Sequence, residues 1–189
     1  MAGRRRESFA ERRERRAEID DPAVVLEAAA RFLEARARSV GEVRRRLSSA
    51  GYRADLIEGA IERMTELGML DDATFARAWI ESRDRARPRG ERALSEELRV
   101  RGVERSVIVA ALEERRVTAS DVGEDAVPSA DEAAAERLLA RHARALERVA
   151  DPRARRQRAY ALLARNGFDP GVCSAISAGF AAADSTASD

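Results

Sequence analysis

Arginine supplies all of the side-chain positive charge in this chain of 189 residues, because the sequence contains no lysine. A guanidinium group is planar, permanently charged and able to donate two parallel hydrogen bonds to a phosphate or a carboxylate. The lack of lysine also excludes a P-loop lysine and a Schiff-base lysine. The residue types therefore favour binding of an anionic partner over catalysis.

The arginines are clustered along the chain. Residues 36–53 contain six arginines and one acid, whereas residues 54–74 contain six acids and one arginine. The net charge is only +1, so local basic clusters, and not the total charge, would attract a phosphate backbone. An alternative is that these clusters are ordinary solvated helix faces. The candidate binding residues are Arg44, Arg45, Arg46, Arg83, Arg85, Arg87, Arg89, Arg92, Arg153, Arg155, Arg156 and Arg158.

The other reactive residue types are sparse. One cysteine, Cys173, permits neither an intramolecular disulfide nor a cysteine-rich zinc site. The single histidine, His142, lies among apolar residues at helical spacing, which predicts a packed or half-exposed side chain. The Asp71-Asp72 pair is better explained as a helix cap than as acid–base machinery. We therefore expect a protein that is not an enzyme and uses no cofactor or metal.

The stretch from residue 69 to residue 103 has the clearest local signals. One of two aspartates caps a first helix, apolar residues at i, i+4 spacing give that helix a core face, and a proline and a glycine separate it from a second helix that ends at a glycine. The tryptophan is expected in the core, and Arg83 has a carboxylate such as Glu97 as a local alternative partner. The motif residues are Asp71, Asp72, Phe75, Trp79, Pro88, Gly90, Leu94, Leu98 and Gly102.

The same plan recurs on both sides of this stretch. Gly51, Gly102 and Gly167 each follow a leucine by four residues, and the residues after them are Tyr52, Val103 and Phe168. After the first two glycines, apolar residues stand at offsets +6, +9 and +10, but Ser177 occupies the last of these positions in the third copy. Each copy reads as a long helix, a short helix and a third helix.

These patterns predict an all-α fold of three tandem three-helix repeats, with nine principal helices, stacked into an elongated curved array. Ser39 and Glu42 have the spacing of a capping box. No window is apolar enough for a transmembrane helix or a secretory signal, so we expect a cytoplasmic protein. The predicted divisions are a flexible arginine-rich arm at 1–20, repeats at 21–68, 69–116 and 131–183, an acidic linker at 117–130 and a disordered tail at 184–189.

The ordered combination of LDDATFARAWIESR, RPRGERALSEELRVRGV and a third helix containing Ile108 and Leu112 resembles the RecX family of recombination regulators. The resemblance spans about residues 28–180 and is strongest between residues 36 and 112. It implies an all-helical protein that binds the RecA recombinase filament on single-stranded DNA and inhibits ATP hydrolysis and strand exchange, within DNA repair and the SOS response. We expect such a protein to act as a monomer, with double-stranded DNA as a further partner. The alternative is a sequence-independent DNA-binding protein or a helix-turn-helix transcription regulator, because three-helix units with glycine turns also suit DNA binding.

Overall fold

The computed structural model describes residues 8–120 and 128–183, and within these residues it contains ten helices and no strand. The prediction of an all-α fold is confirmed. The number of repeats and their elongated, curved arrangement stay predictions. The helices are α1 (Phe9–Ala17), α2 (Pro22–Leu33), α3 (Val40–Ala50), α4 (Ala54–Glu66), α5 (Asp72–Ala86), α6 (Glu91–Arg101), α7 (Arg105–Ser120), α8 (Ala130–Glu147), α9 (Pro152–Arg165) and α10 (Pro170–Ala183).

The chain divides into two compact units. Unit 1 contains the described residues up to Phe75 together with Arg101–Glu104, and unit 2 contains Ala76–Val100 and the described residues from Arg105 onward. The boundary lies inside α5, so these units do not coincide with the three repeats that the sequence predicts.

Helix α1 adds one helix to the nine that were expected. It lies within residues 1–20, which the sequence analysis assigns to a flexible arm. The Ser8 hydroxyl accepts a hydrogen bond from the Glu11 amide at 3.2 Å, and the Glu11 carboxylate accepts one from the Ser8 amide at 2.6 Å. This reciprocal capping satisfies two free donors of the first turn and stabilises the helix start. The S-x-x-E signal was present in the sequence, but α1 has no buried apolar residue to accompany it.

Local capping residues explain several other helix starts. Asp21 and Asp151 each accept a backbone N–H of the first turn, and each is followed by a proline at the first helical position. Ser39 forms only half of the predicted capping box, since its hydroxyl accepts from the Glu42 amide at 3.1 Å while the Glu42 carboxylate pairs with Arg36.

Each unit has its own apolar core. In unit 1, side chains of α2, α3 and α4 meet around Val25, Val43 and Leu47, whose exposed fractions are 2% or less. In unit 2, α8, α9 and α10 meet around Leu139, Leu163 and Phe168. Burial of each such side chain contributes about 1.5–3 kcal/mol, so these positions fix which helix faces turn inward and which carry the arginines.

The glycines after α3 and α6 end these helices in the left-handed conformation. Gly51 has φ +102° and Gly102 has φ +81°, a region that residues with a Cβ rarely adopt.

Within the described residues, no helix is both long and apolar enough to cross a bilayer.

Candidate nucleoprotein-binding site

The first candidate cluster, Arg44 to Arg46, lies on α3 in unit 1. Arg44 is bound to Glu58 through two hydrogen bonds, Nε to Oε1 at 2.6 Å and Nη2 to Oε2 at 2.7 Å. These bonds raise the pKa of Arg44 and lower the pKa of the Glu58 carboxyl. Arg45 and Arg46 are exposed. The local charge available to an anionic partner therefore comes mainly from Arg45 and Arg46.

In the middle cluster, Arg83 is committed to a local network. Its Nε donates to Glu97 Oε2 at 2.6 Å, and the indole N–H of Trp79 donates to the same oxygen at 2.9 Å. The guanidinium carbon also lies 4.3 Å from the centre of the Trp79 ring. Arg83 is therefore paired with Glu97, which is the local alternative that the sequence offered. This ion pair joins α5 to α6.

Arg89 is also held within unit 2. Its Nη1 donates to Asn166 Oδ1 at 2.6 Å, and its Nε lies 3.6 Å from Glu97 Oε1. The adjacent Gly90 donates its backbone N–H to the Asn166 carbonyl at 3.0 Å. Pro88 and Gly90 are both buried, so the junction between α5 and α6 has a fixed backbone.

The remaining arginines of the middle cluster lie in the last turn of α5, in the junction and in the first turn of α6. Arg85, Arg87 and Arg92 are exposed. The carbonyl of Arg85 accepts from Arg141 Nη2 at 2.7 Å, which further restrains the end of α5. Within the middle cluster these three side chains are exposed, whereas Arg83 and Arg89 are held by partners inside unit 2.

The third cluster lies on α9 in unit 2. Arg153, Arg156 and Arg158 are exposed, whereas Arg155 is half-buried and donates from Nε to the Val149 carbonyl at 3.1 Å. His142 is exposed on α8, which differs from the expected packed or half-exposed position because the inward face of α8 is formed by its leucines and alanines. The α9 cluster therefore offers three outward-facing arginines.

The importance of Arg115 is not apparent from the sequence. Its side chain is 6% exposed and binds Asp84 through Nε and Nη2, both at 2.9 Å, and Asp131 through Nη1 at 2.7 Å. Burial opposes the charge, but the hydrogen bonds to both carboxylates outweigh burial and raise the pKa of Arg115. Burial raises the pKa of Asp131. In the sequence, Arg115 stands in the run EERR and looks like part of a solvated face.

The motif residues are mainly structural. Asp71 accepts from the Ala73 and Thr74 amides at 2.9 and 3.1 Å and so caps α5, whereas Asp72 accepts from the Val40 amide at the start of α3. Trp79 is half-buried rather than fully in the core. Phe75, Leu94 and Leu98 are buried.

Comparison with family models and curated sequences gives one consistent result. Residues 26–64 match the first three-helix domain of RecX, and residues 71–112 match its second three-helix domain. The regulatory protein RecX of Mycobacterium ulcerans is 34% identical over 153 residues, which cover 80% of this chain and 82% of that protein. The regulatory protein RecX of Mycolicibacterium vanbaalenii is 42% identical over 82 residues, and this match spans 43% of this chain and 45% of that protein.

A solved structure shares the fold. The crystal structure of RecX from Lactobacillus salivarius superimposes with a TM-score of 0.70, covering 85% of this chain and 97% of that chain at 17% sequence identity. At this identity the likeness concerns the arrangement of helices and not the identity of surface residues.

Proposed function

This chain belongs to the RecX family of regulatory proteins, and on that premise we propose that it binds the RecA filament on single-stranded DNA and inhibits ATP hydrolysis and strand exchange. The role would lie in DNA repair and the SOS response. We further propose that it acts as a cytoplasmic monomer without catalytic activity or a cofactor of its own.

The observation that carries this proposal is the fixed junction between α5 and α6. Pro88 and Gly90 are buried there, and Arg87 and Arg92 are exposed on either side of them. Because the backbone is already held, placing these guanidinium groups on a partner loses little further conformational entropy. Permanently charged, forked donors on a rigid base suit phosphates and carboxylates, which are the anionic groups of a nucleoprotein filament.

The test is the DNA-dependent ATPase of RecA measured with increasing amounts of this protein. The expected result is inhibition, which the double variant Arg87→Ala plus Arg92→Ala should weaken several-fold. The matched control, Arg63→Ala plus Arg99→Ala, removes two exposed arginines that pair with glutamates three residues away on their own helices. Equal losses in the two double variants would mean that only total charge matters and that the junction has no special role.

The RecA ATPase assay, together with a measurement of duplex binding without RecA, separates this proposal from a transcription regulator. A RecA regulator should act on any single-stranded DNA sequence and require RecA, whereas a helix-turn-helix regulator should prefer one duplex sequence without RecA. Sequence-selective duplex binding together with an unchanged RecA ATPase would contradict the proposal.

A further inference from the structure

A groove in unit 1 brings three aromatic side chains together. The groove has a volume of about 560 Å³ and is bordered by α1, α2, α3 and the start of the turn after α3. Phe9, Phe32 and Tyr52 line it. Aromatic residues are only 4% of the chain, and three of its eight aromatic side chains lie in this one groove. The Phe9 side chain is 62% exposed, so packing in the core does not explain why a large apolar ring stands at this position.

The charged residues that line the same groove are all cationic. They are Arg12, Arg16, Arg31 and Arg46, and no aspartate or glutamate among residues 8–120 and 128–183 lines the groove. The whole chain has 35 basic and 34 acidic residues, so the charged residues that line the groove are far more basic than the chain as a whole. Arg31 also forms an ion pair with Glu27 on its own helix, and with this pair counted the groove still carries an excess of positive charge next to aromatic faces.

Two of these arginines are oriented by the aromatic rings. The guanidinium carbon of Arg16 lies 5.6 Å from the centre of the Tyr52 ring, and its Nη1 donates to the Ala50 carbonyl at 3.4 Å. The guanidinium carbon of Arg46 lies 5.8 Å from the centre of the Phe32 ring. Cation–π contacts leave the N–H edges of a guanidinium able to donate to an anion.

The position of α1 depends on a glycine. A Cβ added at Gly51 would lie 2.6 Å from the Arg13 carbonyl oxygen, so a larger residue at this position would displace the helix. Because α1 is seated at Gly51 and capped by Ser8 and Glu11, it forms a defined wall of the groove. The groove is therefore formed by the fold of unit 1, and the high arginine content of the chain does not by itself explain it.

We propose that this groove binds single-stranded nucleic acid, with phosphates on the arginines and a base stacked on Phe9. The inference deepens the proposed function and rests on it for the single-stranded DNA partner. Grooves that bind single strands combine basic side chains along the backbone with aromatic rings on which bases stack. A duplex keeps its bases stacked within itself, and an acidic peptide would use the arginines but leave Phe9 exposed.

The experiment measures binding to a fluorescein-labelled oligothymidylate of about 16 nucleotides, the upper end of the usual single-strand site size, by fluorescence anisotropy without RecA. Phe9→Ala should weaken binding about tenfold, because one base–ring stack is lost. Phe9→Tyr should keep most of the affinity. The control Leu67→Ala removes another exposed apolar side chain of unit 1, 52% exposed, and should leave binding unchanged.

The contribution of charge is tested with arginines from two walls of the groove. Arg31→Ala plus Arg46→Ala should weaken binding and lower the slope of log K against log salt by about 1.4, since each lost phosphate contact on a single strand contributes about 0.7. Arg53→Ala plus Arg63→Ala removes two exposed arginines of unit 1 that do not line the groove, and should change binding less.

Three outcomes would overturn the inference. They are an unchanged affinity of Phe9→Ala, equal binding of a duplex of the same length, and displacement of the oligonucleotide by polyglutamate as efficiently as by unlabelled oligothymidylate. The last outcome would assign the groove to an acidic polypeptide. Inhibition of RecA without any Phe9 effect on DNA binding would contradict only this inference, whereas DNA binding that depends on Phe9 without inhibition of RecA would contradict only the proposed function.

Discussion

The Asp72 carboxylate accepts a hydrogen bond of 2.8 Å from the backbone amide of Val40, which precedes it by 32 residues. Val40 is the first residue of α3, where backbone N–H groups have no partner within the helix. Asp72 is half-buried, and burial raises the pKa of its carboxyl. One side chain of α5 thus satisfies a donor at the start of α3, within unit 1.

This arrangement predicts an unusual pH dependence for Asp72→Asn. A raised pKa means that the folded chain binds this proton more tightly than the unfolded chain, so the charged form lowers stability above the folded-state pKa. That loss disappears as the pH falls through the folded-state pKa toward the unfolded value of about 3.9. Asp72→Asn should therefore be at least as stable as the wild type at neutral pH, with an advantage that shrinks at about pH 4, measured by urea unfolding.

Asp72→Ala provides the contrast, because it removes the acceptor and leaves the Val40 amide without this partner. We expect a loss of about 1–3 kcal/mol in the free energy of unfolding. If Asp72→Asn is instead less stable than the wild type at neutral pH, the hydrogen bond from the Val40 amide to the charged carboxylate, together with attraction to Arg44, outweighs burial.

Two glycines should not tolerate alanine. A Cβ added at Gly41 would lie 2.7 Å from Gly102 Cα, and one added at Gly90 would overlap backbone atoms of Gly167 and Phe168. Overpacking of this kind typically costs about 1–3 kcal/mol, and here the obstructing atoms belong to backbone. Gly41→Ala and Gly90→Ala should each lower the melting temperature clearly.

Gly59 supplies the matched control. It lies in α4, and an added Cβ would meet no atom within 4 Å. Gly59→Ala should stabilise the protein by about 0.5–1 kcal/mol, because alanine is favoured over glycine within a helix. Destabilisation of all three variants to the same extent would contradict the close approach at Gly41 and Gly90.

Arg115 should be essential for the stability of unit 2. Arg115→Met removes the guanidinium and leaves the Asp84 and Asp131 carboxylates, which are 23% and 12% exposed, without their shared partner. Breaking a buried pair in this way costs about 3–5 kcal/mol. The neighbouring Arg116 forms ion pairs with Glu91 and Glu113 while 55% exposed, so Arg116→Ala should cost only about 0–1 kcal/mol. Chemical denaturation of both variants tests the difference, and similar losses would contradict it.

Arg87 and Arg89 flank Pro88 but should behave differently. Arg89→Ala removes the hydrogen bond to Asn166 and the ion pair to Glu97, so it should lower the melting temperature. Arg87 is exposed, so Arg87→Ala should leave the melting temperature nearly unchanged and weaken filament binding instead. A structural loss at Arg87 equal to that at Arg89 would remove Arg87 from the candidate interface.

The sequence by itself determined nine of the ten helices in the described residues and most of the core. Asp21-Pro22 and Asp151-Pro152 predict helix starts, and the structure places caps at both. The apolar spacing also identifies Leu47, Leu98 and Leu163 as buried. These features depend on interactions within one or two helical turns, which are readable from neighbouring residues. The S-x-x-E signal at Ser8 was equally local, but without an apolar face it did not predict α1.

Only the tertiary structure decided which arginines form ion pairs or hydrogen bonds with other residues of the same chain. Arg44 pairs with a residue 14 positions away, and Arg89 binds Asn166, 77 positions away. Arg115, which lies in a charged run, is buried between two aspartates, whereas Arg46 borders an aromatic groove. Sequence spacing shows the helix face on which a guanidinium lies. Its pairing and exposure depend on which other helix that face meets, and that is fixed only when the apolar faces pack.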